Sequence, residues 1–175
     1  MGAVVPSSAS LCELIASRVD PASSSVLEVG AGTGPVTRAL LERGVGPERL
    51  FLIERDPSLA AYLHRRFPGV RVRCGDAVHA GRILSDESVG QVKTVISSLP
   101  ILNLSSRDQL KAVRGMLNAL APGGQLIQFT YAPRCPISTR RFGLRAECVG
   151  RVWLNLPPAT VWRFTRTSVA ARQPF

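Results

Sequence analysis

Three carboxylates set around a glycine-rich turn are the residues of this 175-residue chain best placed to do chemistry. Glu28 stands just before Gly30-Ala31-Gly32-Thr33-Gly34. Glycines let a backbone turn at positive φ and pass close beneath a ligand. A loop of this kind that opens a helix often receives a pyrophosphate, because the helix N-terminus favours negative charge. Glu28 works against that reading. An acid beside the loop suits a ligand carrying cations, such as an ammonium or a sulfonium. Glu54 follows Gly34 by 20 residues. Its two oxygens are pure acceptors and suit both hydroxyls of a ribose. Arg55 and Asp56 come next, and Asp56-Pro57 reads as a helix cap. Gly75-Asp76-Ala77 supplies a third acid, suited to the exocyclic amine of adenine, with the neighbouring backbone amide suited to a ring nitrogen.

The elements that must position these groups alternate. Val26–Val29 and Leu50–Ile53 are short apolar runs that read as buried strands. Helical spacing over 37–43 ends at Gly44, and a helix from Asp56 to about Phe67 ends at Pro68-Gly69. Strands are expected over 70–74, 91–98 and 126–131, with a helix over 106–120 and a sharp turn at Pro122-Gly123-Gly124. Each acid then lies at the C-terminal end of a strand, where open α/β sheets bind ligands. The alternation predicts a mostly parallel sheet covered on both faces. The end of the chain differs: 146–156 and 160–170 both read as strands, and Pro157-Pro158 leaves room only for an antiparallel hairpin.

Length predicts one domain over residues 1–175. No run of 18 apolar residues suggests a membrane-spanning helix, and Met1–Ser8 does not read as a signal peptide. The cysteines Cys12, Cys74, Cys135 and Cys148 are scattered, so neither a metal site nor a disulfide framework is expected. The net charge is +10, nearly all from arginine, and eight arginines against Glu147 alone fall within 133–175. Such an end suits an anionic partner.

Five parallel strands with a terminal antiparallel hairpin resemble the Rossmann-like, seven-stranded sheet of the class I methyltransferases. Their cofactor, S-adenosylmethionine, carries the ammonium and sulfonium that Glu28 suits. More specifically, Gly2–Ser8, Val26–Gly34, Ser97-Ser98-Leu99-Pro100-Ile101-Leu102-Asn103, Gln128–Tyr131 and Val152–Trp162 resemble the bacterial phospholipid N-methyltransferases. That family methylates phosphatidylethanolamine stepwise towards phosphatidylcholine. The resemblance implies cofactor contacts at Glu28, Gly30, Gly32, Gly34, Glu54, Arg55, Asp76, Ala77 and Ser97. It implies a substrate wall of Ser97, Ser98, Leu99 and Pro100, with Tyr131 nearby to reach a lipid phosphate. Arg134, Arg140 and Arg141 would then meet phosphates at an anionic membrane surface. No general base is assigned, and His79 reads as helix surface.

Family members carry a basic amphipathic stretch ahead of the segment matching Gly2–Ser8, whereas this chain begins at that segment. The expectation is a monomeric catalytic domain without a docking helix, cytoplasmic and peripheral to the inner membrane. Three other readings stay open. One is an RNA adenine N6-methyltransferase, although Ser98-Leu99-Pro100-Ile101 lacks both the amide or acid and the base-stacking aromatic typical of such enzymes. The others are a small-molecule methyltransferase and a non-catalytic cofactor- or lipid-binding protein.

Overall fold

The computed structural model describes residues 8–22, 25–153, 155 and 157–167. Gly2–Ser7, Leu154, Leu156 and the expected strand beyond Thr167 lie outside them. The helices are α1 (Ala9–Ala16), α2 (Pro35–Glu42), α3 (Pro57–Arg66), α4 (Ala80–Asp86), α5 (Ser106–Ala119) and α6 (Thr139–Phe142). The strands are β1 (Val26–Val29), β2 (Leu50–Glu54), β3 (Arg71–Cys74), β4 (Val92–Ser97), β5 (Leu120–Thr130), β6 (Leu144–Val152) and β7 (Ala159–Arg166).

All seven strands form one sheet in the order β3-β2-β1-β4-β5-β7-β6. The first five pair in parallel, and β7 runs antiparallel to both β5 and β6. The expected hairpin is therefore present, with β7 inserted between β5 and β6. The chain winds outward from β1 to β3, then returns to β4 on the other side of β1. That reversal opens a crevice between the ends of β1 and β4, where Val29 lies opposite Ser97.

Strand alternation divides the core into two layers. Leu27, Val29, Phe51, Ile53, Val95, Leu126 and Phe164 pack with Leu84, Val113 and Met116 of α4 and α5. Val26, Leu50, Leu52, Ile96, Ile127 and Val161 pack with Leu11, Ile15, Val36, Leu40 and Leu63 of α1 to α3. Two caps hold helix starts at the crevice. Asp56 Oδ1 accepts from the amides of Ser58 and Leu59 at 2.8 and 3.0 Å, as its sequence context predicts. Ser8 caps α1 through its hydroxyl.

The Pro122–Gly124 turn lies within β5. Residues 121–124 bulge opposite Lys93, because the register passes from Val92↔Leu120 to Thr94↔Gln125. The sequence reading missed α1, α4 and α6.

The topology also separates the arginines that composition grouped together. β6 starts at Leu144 opposite Arg166, so α6 with Arg140 and Arg141 precedes the end of the sheet opposite the crevice. Arg145 lies at that far end too, opposite Thr165. Arg163 reaches Glu147 across the β6–β7 ladder. Of the arginines within 133–167, Arg134, beyond the end of β5, and Arg151, opposite Thr160, lie towards the crevice end.

Candidate functional site

Two clefts open at the C-terminal ends of the parallel strands and share Leu99 as a wall. The first has a volume of about 290 Å³ and is lined by Gly30, Ile53, Glu54, Arg55 and Gly75–Val78, with Leu104, Asp108 and Ala112 closing it from the far side. The second has a volume of about 340 Å³ and is lined by Ser98–Asn103, Gln128–Ala132, Pro136 and Pro157.

Glu54 ends β2 at the floor of the first cleft. Its Oε2 accepts from the Gly32 amide at 2.9 Å and its Oε1 from the Asp56 amide at 3.0 Å. A carboxylate has about four lone-pair directions, so these bonds orient it and leave acceptor capacity for a pair of hydroxyls. Asp76 caps the short turn 77–79 through Oδ1 and the Val78 amide at 2.9 Å. Its other oxygen is not used by that cap. Arg55 lines the cleft from an exposed position. His79 is exposed at the end of the turn, as the sequence reading has it.

The glycine loop reaches the cleft through Gly30, with φ of 71°. A Cβ there would stand 2.8 Å from Leu99 Cδ2, so glycine is what lets Leu99 lie over the loop. Gly32 and Gly34 lie outside the cleft lining. Gly32 serves it through its bond to Glu54. Gly34 packs under α3, where a Cβ would meet the Phe67 ring at 2.3 Å.

Glu28 sits behind the loop, on the α1–α3 face of the sheet, and is completely buried. Its Oε2 accepts from Thr37 Oγ1 at 2.6 Å, while its Oε1 has no hydrogen-bond partner among the described residues. Burial pushes its pKa up to about 7; the Thr37 hydroxyl opposes that shift and the Glu54 charge adds to it. Glu28 is in the lining of neither cleft.

In the second cleft, Ser98 and Leu99 are half-buried and Pro100 is exposed. Ser97 lies beneath them, fully buried, and its Oγ accepts from the Leu99 amide at 3.4 Å. Register with Val29 puts Ser97 on the α4–α5 face of the sheet, and it is in the lining of neither cleft. Tyr131 stands at the rim, its ring edge-on to Phe129 with centroids 5.7 Å apart. Among the described residues no cluster of His, Cys, Asp or Glu has the arrangement of a metal site.

Several lining residues were not singled out from the sequence. Asp108 and Ala112 arrive through the packing of α5, and Leu104 through the segment just before it, which no local spacing announces. Gln128 did carry a signal: it is a polar residue inside the apolar run Leu126–Phe129. It is 1% exposed, and its Nε2 donates to the carbonyls of Leu99 and Phe129 at 3.0 and 2.7 Å, bracing the second cleft. Its Oε1 and the indole N–H of Trp162, its neighbour across the β5–β7 ladder, are both buried without partners among the described residues.

An ornithine lipid N-methyltransferase of Singulisphaera acidiphila is 36% identical over 112 residues, 62% of this chain and 58% of that protein. A ribosomal RNA small subunit methyltransferase A of Maridesulfovibrio salexigens is 41% identical over 56 residues, 32% of this chain and 21% of that protein. The chain thus spans less than two thirds of the length of either relative. The glycopeptide N-methyltransferase MtfA, solved with S-adenosyl-L-methionine, shares the fold with a TM-score of 0.69 and 15% identity, over 91% of this chain and 94% of that one. The family description "methyltransferase domain" matches residues 26–124. That match begins on the first residue of β1 and takes in every residue lining the first cleft, and the chain belongs to this methyltransferase domain family.

Proposed function

We propose that this protein transfers a methyl group from S-adenosylmethionine to the amino nitrogen of a membrane lipid headgroup, with phosphatidylethanolamine as the expected acceptor. The observation that carries the reading is the shared Leu99 wall between an acid-lined cleft and a more apolar one. Cofactor and acceptor held in the two clefts would meet there. The relative from Singulisphaera acidiphila, a lipid N-methyltransferase by its name, favours a lipid amine.

The residues present fit the cofactor. Glu54 retains acceptor capacity for the ribose hydroxyls, and Asp76 has an oxygen beyond its cap for the adenine amine. Gly30 leaves room for close backbone approach, and Glu28, buried behind the loop and outside the cleft lining, favours the ammonium only through its charge when ionised. When bound, the cofactor supplies an activated methyl group on a sulfonium.

The protein's own work is then orientation and the exclusion of water. Leu99 borders both compartments without adding a polar group where nitrogen and methyl must meet. Gln128 holds the Leu99 carbonyl and so fixes the shape of that shared edge. Ser98, Pro100 and Tyr131 shape the acceptor side. The nitrogen must present its lone pair, so the headgroup ammonium loses a proton before transfer. No side chain is assigned to take it, and water is the acceptor.

A methyl-transfer assay with labelled S-adenosylmethionine tests the reading. Vesicles of phosphatidylethanolamine, vesicles containing ornithine lipid, and RNA are offered in parallel. Label in phosphatidylethanolamine supports the proposal in full. Label in ornithine lipid alone keeps the lipid amine and replaces the headgroup. Label in RNA alone overturns it.

A further inference from the structure

The described residues include three exposed large hydrophobic side chains, Tyr62, Tyr131 and Trp153, and Trp153 is the most exposed at 67%. Two of them share one place. Thr130 pairs with Thr160, and Val152 pairs with Ala159. Tyr131 and Trp153 therefore emerge past the same edge of the sheet, on either side of the start of β7. Tyr131 and Pro157 line the second cleft, so this edge is the cleft's mouth.

The rim has a definite chemistry. The Arg151 guanidinium lies over the Trp153 ring, 4.2 Å from its centroid. Arg134 is exposed just beyond Tyr131. No carboxylate occurs in residues 131–136 or 151–158. An aromatic platform bearing a cation, with no acid in the two segments that carry it, is poorly matched to bulk water. It is well matched to a bilayer interface, where indole and phenol rings sit at headgroup depth and guanidinium groups meet phosphates.

We infer that the rim formed by Tyr131, Arg151 and Trp153 docks on an anionic lipid bilayer, with the Trp153 ring entering the headgroup layer and the second cleft facing the lipids. This deepens the proposed function, on which it rests, by naming the surface that meets the membrane. It also relocates the contact expected from Arg140 and Arg141, which belong to the far end of the sheet.

The chain has two tryptophans, and Trp162 packs against the core, so Trp153 emission is a direct probe. The full chain is titrated with vesicles of phosphatidylethanolamine and phosphatidylglycerol, with vesicles of phosphatidylcholine alone, and with single-stranded RNA. A blue shift is expected with the anionic vesicles, retained in Trp162→Phe and absent from Trp153→Phe. Sedimentation should show that Trp153→Ala binds these vesicles roughly tenfold more weakly, while Trp153→Phe keeps most of the affinity. Trp153 is largely solvent-exposed, so its replacement leaves the core intact.

An unshifted emission with vesicles, a shift with RNA alone, or equal vesicle affinity of Trp153→Ala and wild type overturns the docking surface. The outcomes separate from those of the function. Methyl transfer to lipid without a shift rejects this surface alone. A shift without methyl transfer to any lipid rejects the proposed reaction and keeps the surface.

Discussion

The Gly32 amide donates to Glu54 Oε2 at 2.9 Å and so ties the loop after β1 to the last residue of β2. The two halves of the first cleft are thereby registered before any ligand arrives. The same carboxylate takes the Asp56 amide on its other oxygen, which fixes its plane.

Glu54→Ala removes both the anchoring bonds and the acceptors for the ribose. Affinity for S-adenosylmethionine should fall by about 1–3 kcal/mol, the range for leaving buried hydrogen-bonding groups without partners. Calorimetry measures this directly. An unchanged affinity would take Glu54 out of the cofactor site.

Glu28 makes stability depend on pH. Its pKa is about 7 in the fold against an ordinary 4.5, so the folded state binds more protons than the unfolded state between those values. The associated stability is fully present below pH 4.5 and is lost as pH rises through 7. The expected loss is on the order of 3 kcal/mol across that window. Glu28→Gln keeps an acceptor for Thr37 and cannot titrate. Urea denaturation from pH 4.5 to 8 should therefore show a flatter profile for the variant, whatever its absolute stability. Parallel profiles for variant and wild type would mean that Glu28 is not the titrating group.

Two glycines separate backbone strain from steric conflict. Gly32 has φ of 59° and open space where a Cβ would go. Gly32→Ala should cost about 1–2 kcal/mol, the penalty for a left-handed alanine. Gly115, in α5, would place a Cβ 2.2 Å from the Ala77 carbonyl oxygen and 2.6 Å from that of Val78. These are backbone atoms, so α5 must move off the 77–79 turn. Gly115→Ala should cost more than Gly32→Ala and should weaken cofactor binding through Asp76 and Ala77. Thermal melts of the two variants check the order, and a smaller loss at Gly115 would refute the close packing.

These sites show what the sequence made legible. Short apolar runs ending in acids or glycines located β1 and β2, and the pairing of Asp56 with Pro57 located the start of α3. Local patterns do not report packing over distance. α4 was missed because Ala80–Asp86 is short and contains Gly81, whose backbone approaches that of Asn118. Ser97 and Ser98 were both expected in the substrate wall, yet Ser97, the last residue of β4, is fully buried and only Ser98 lines the second cleft. The grouping of arginines in sequence did not survive the return of the chain to the far end of the sheet before β6.

Asn155 ties the start of α1 to its own segment near the end of the chain, a long-range link to Ser8 that local sequence does not show. Its Oδ1 accepts from the Ser8 amide at 3.1 Å, and its Nδ2 donates to the Pro157 carbonyl at 3.0 Å. It is 3% exposed, so both bonds are largely shielded from water. One bond holds the start of α1; the other holds a residue lining the second cleft. Asn155→Ala leaves an amide and a carbonyl without partners, which should cost about 1–3 kcal/mol in urea denaturation. Asn155→Asp retains the acceptor for Ser8 and loses the donor to Pro157. It should therefore fold more stably than the alanine variant while sharing its loosened cleft. In methyl-transfer kinetics both variants should raise the KM for the lipid and leave cofactor affinity near wild type, because the Glu54 side of the site is untouched. A matching loss of cofactor affinity would show instead that Asn155 supports the fold as a whole rather than the acceptor side.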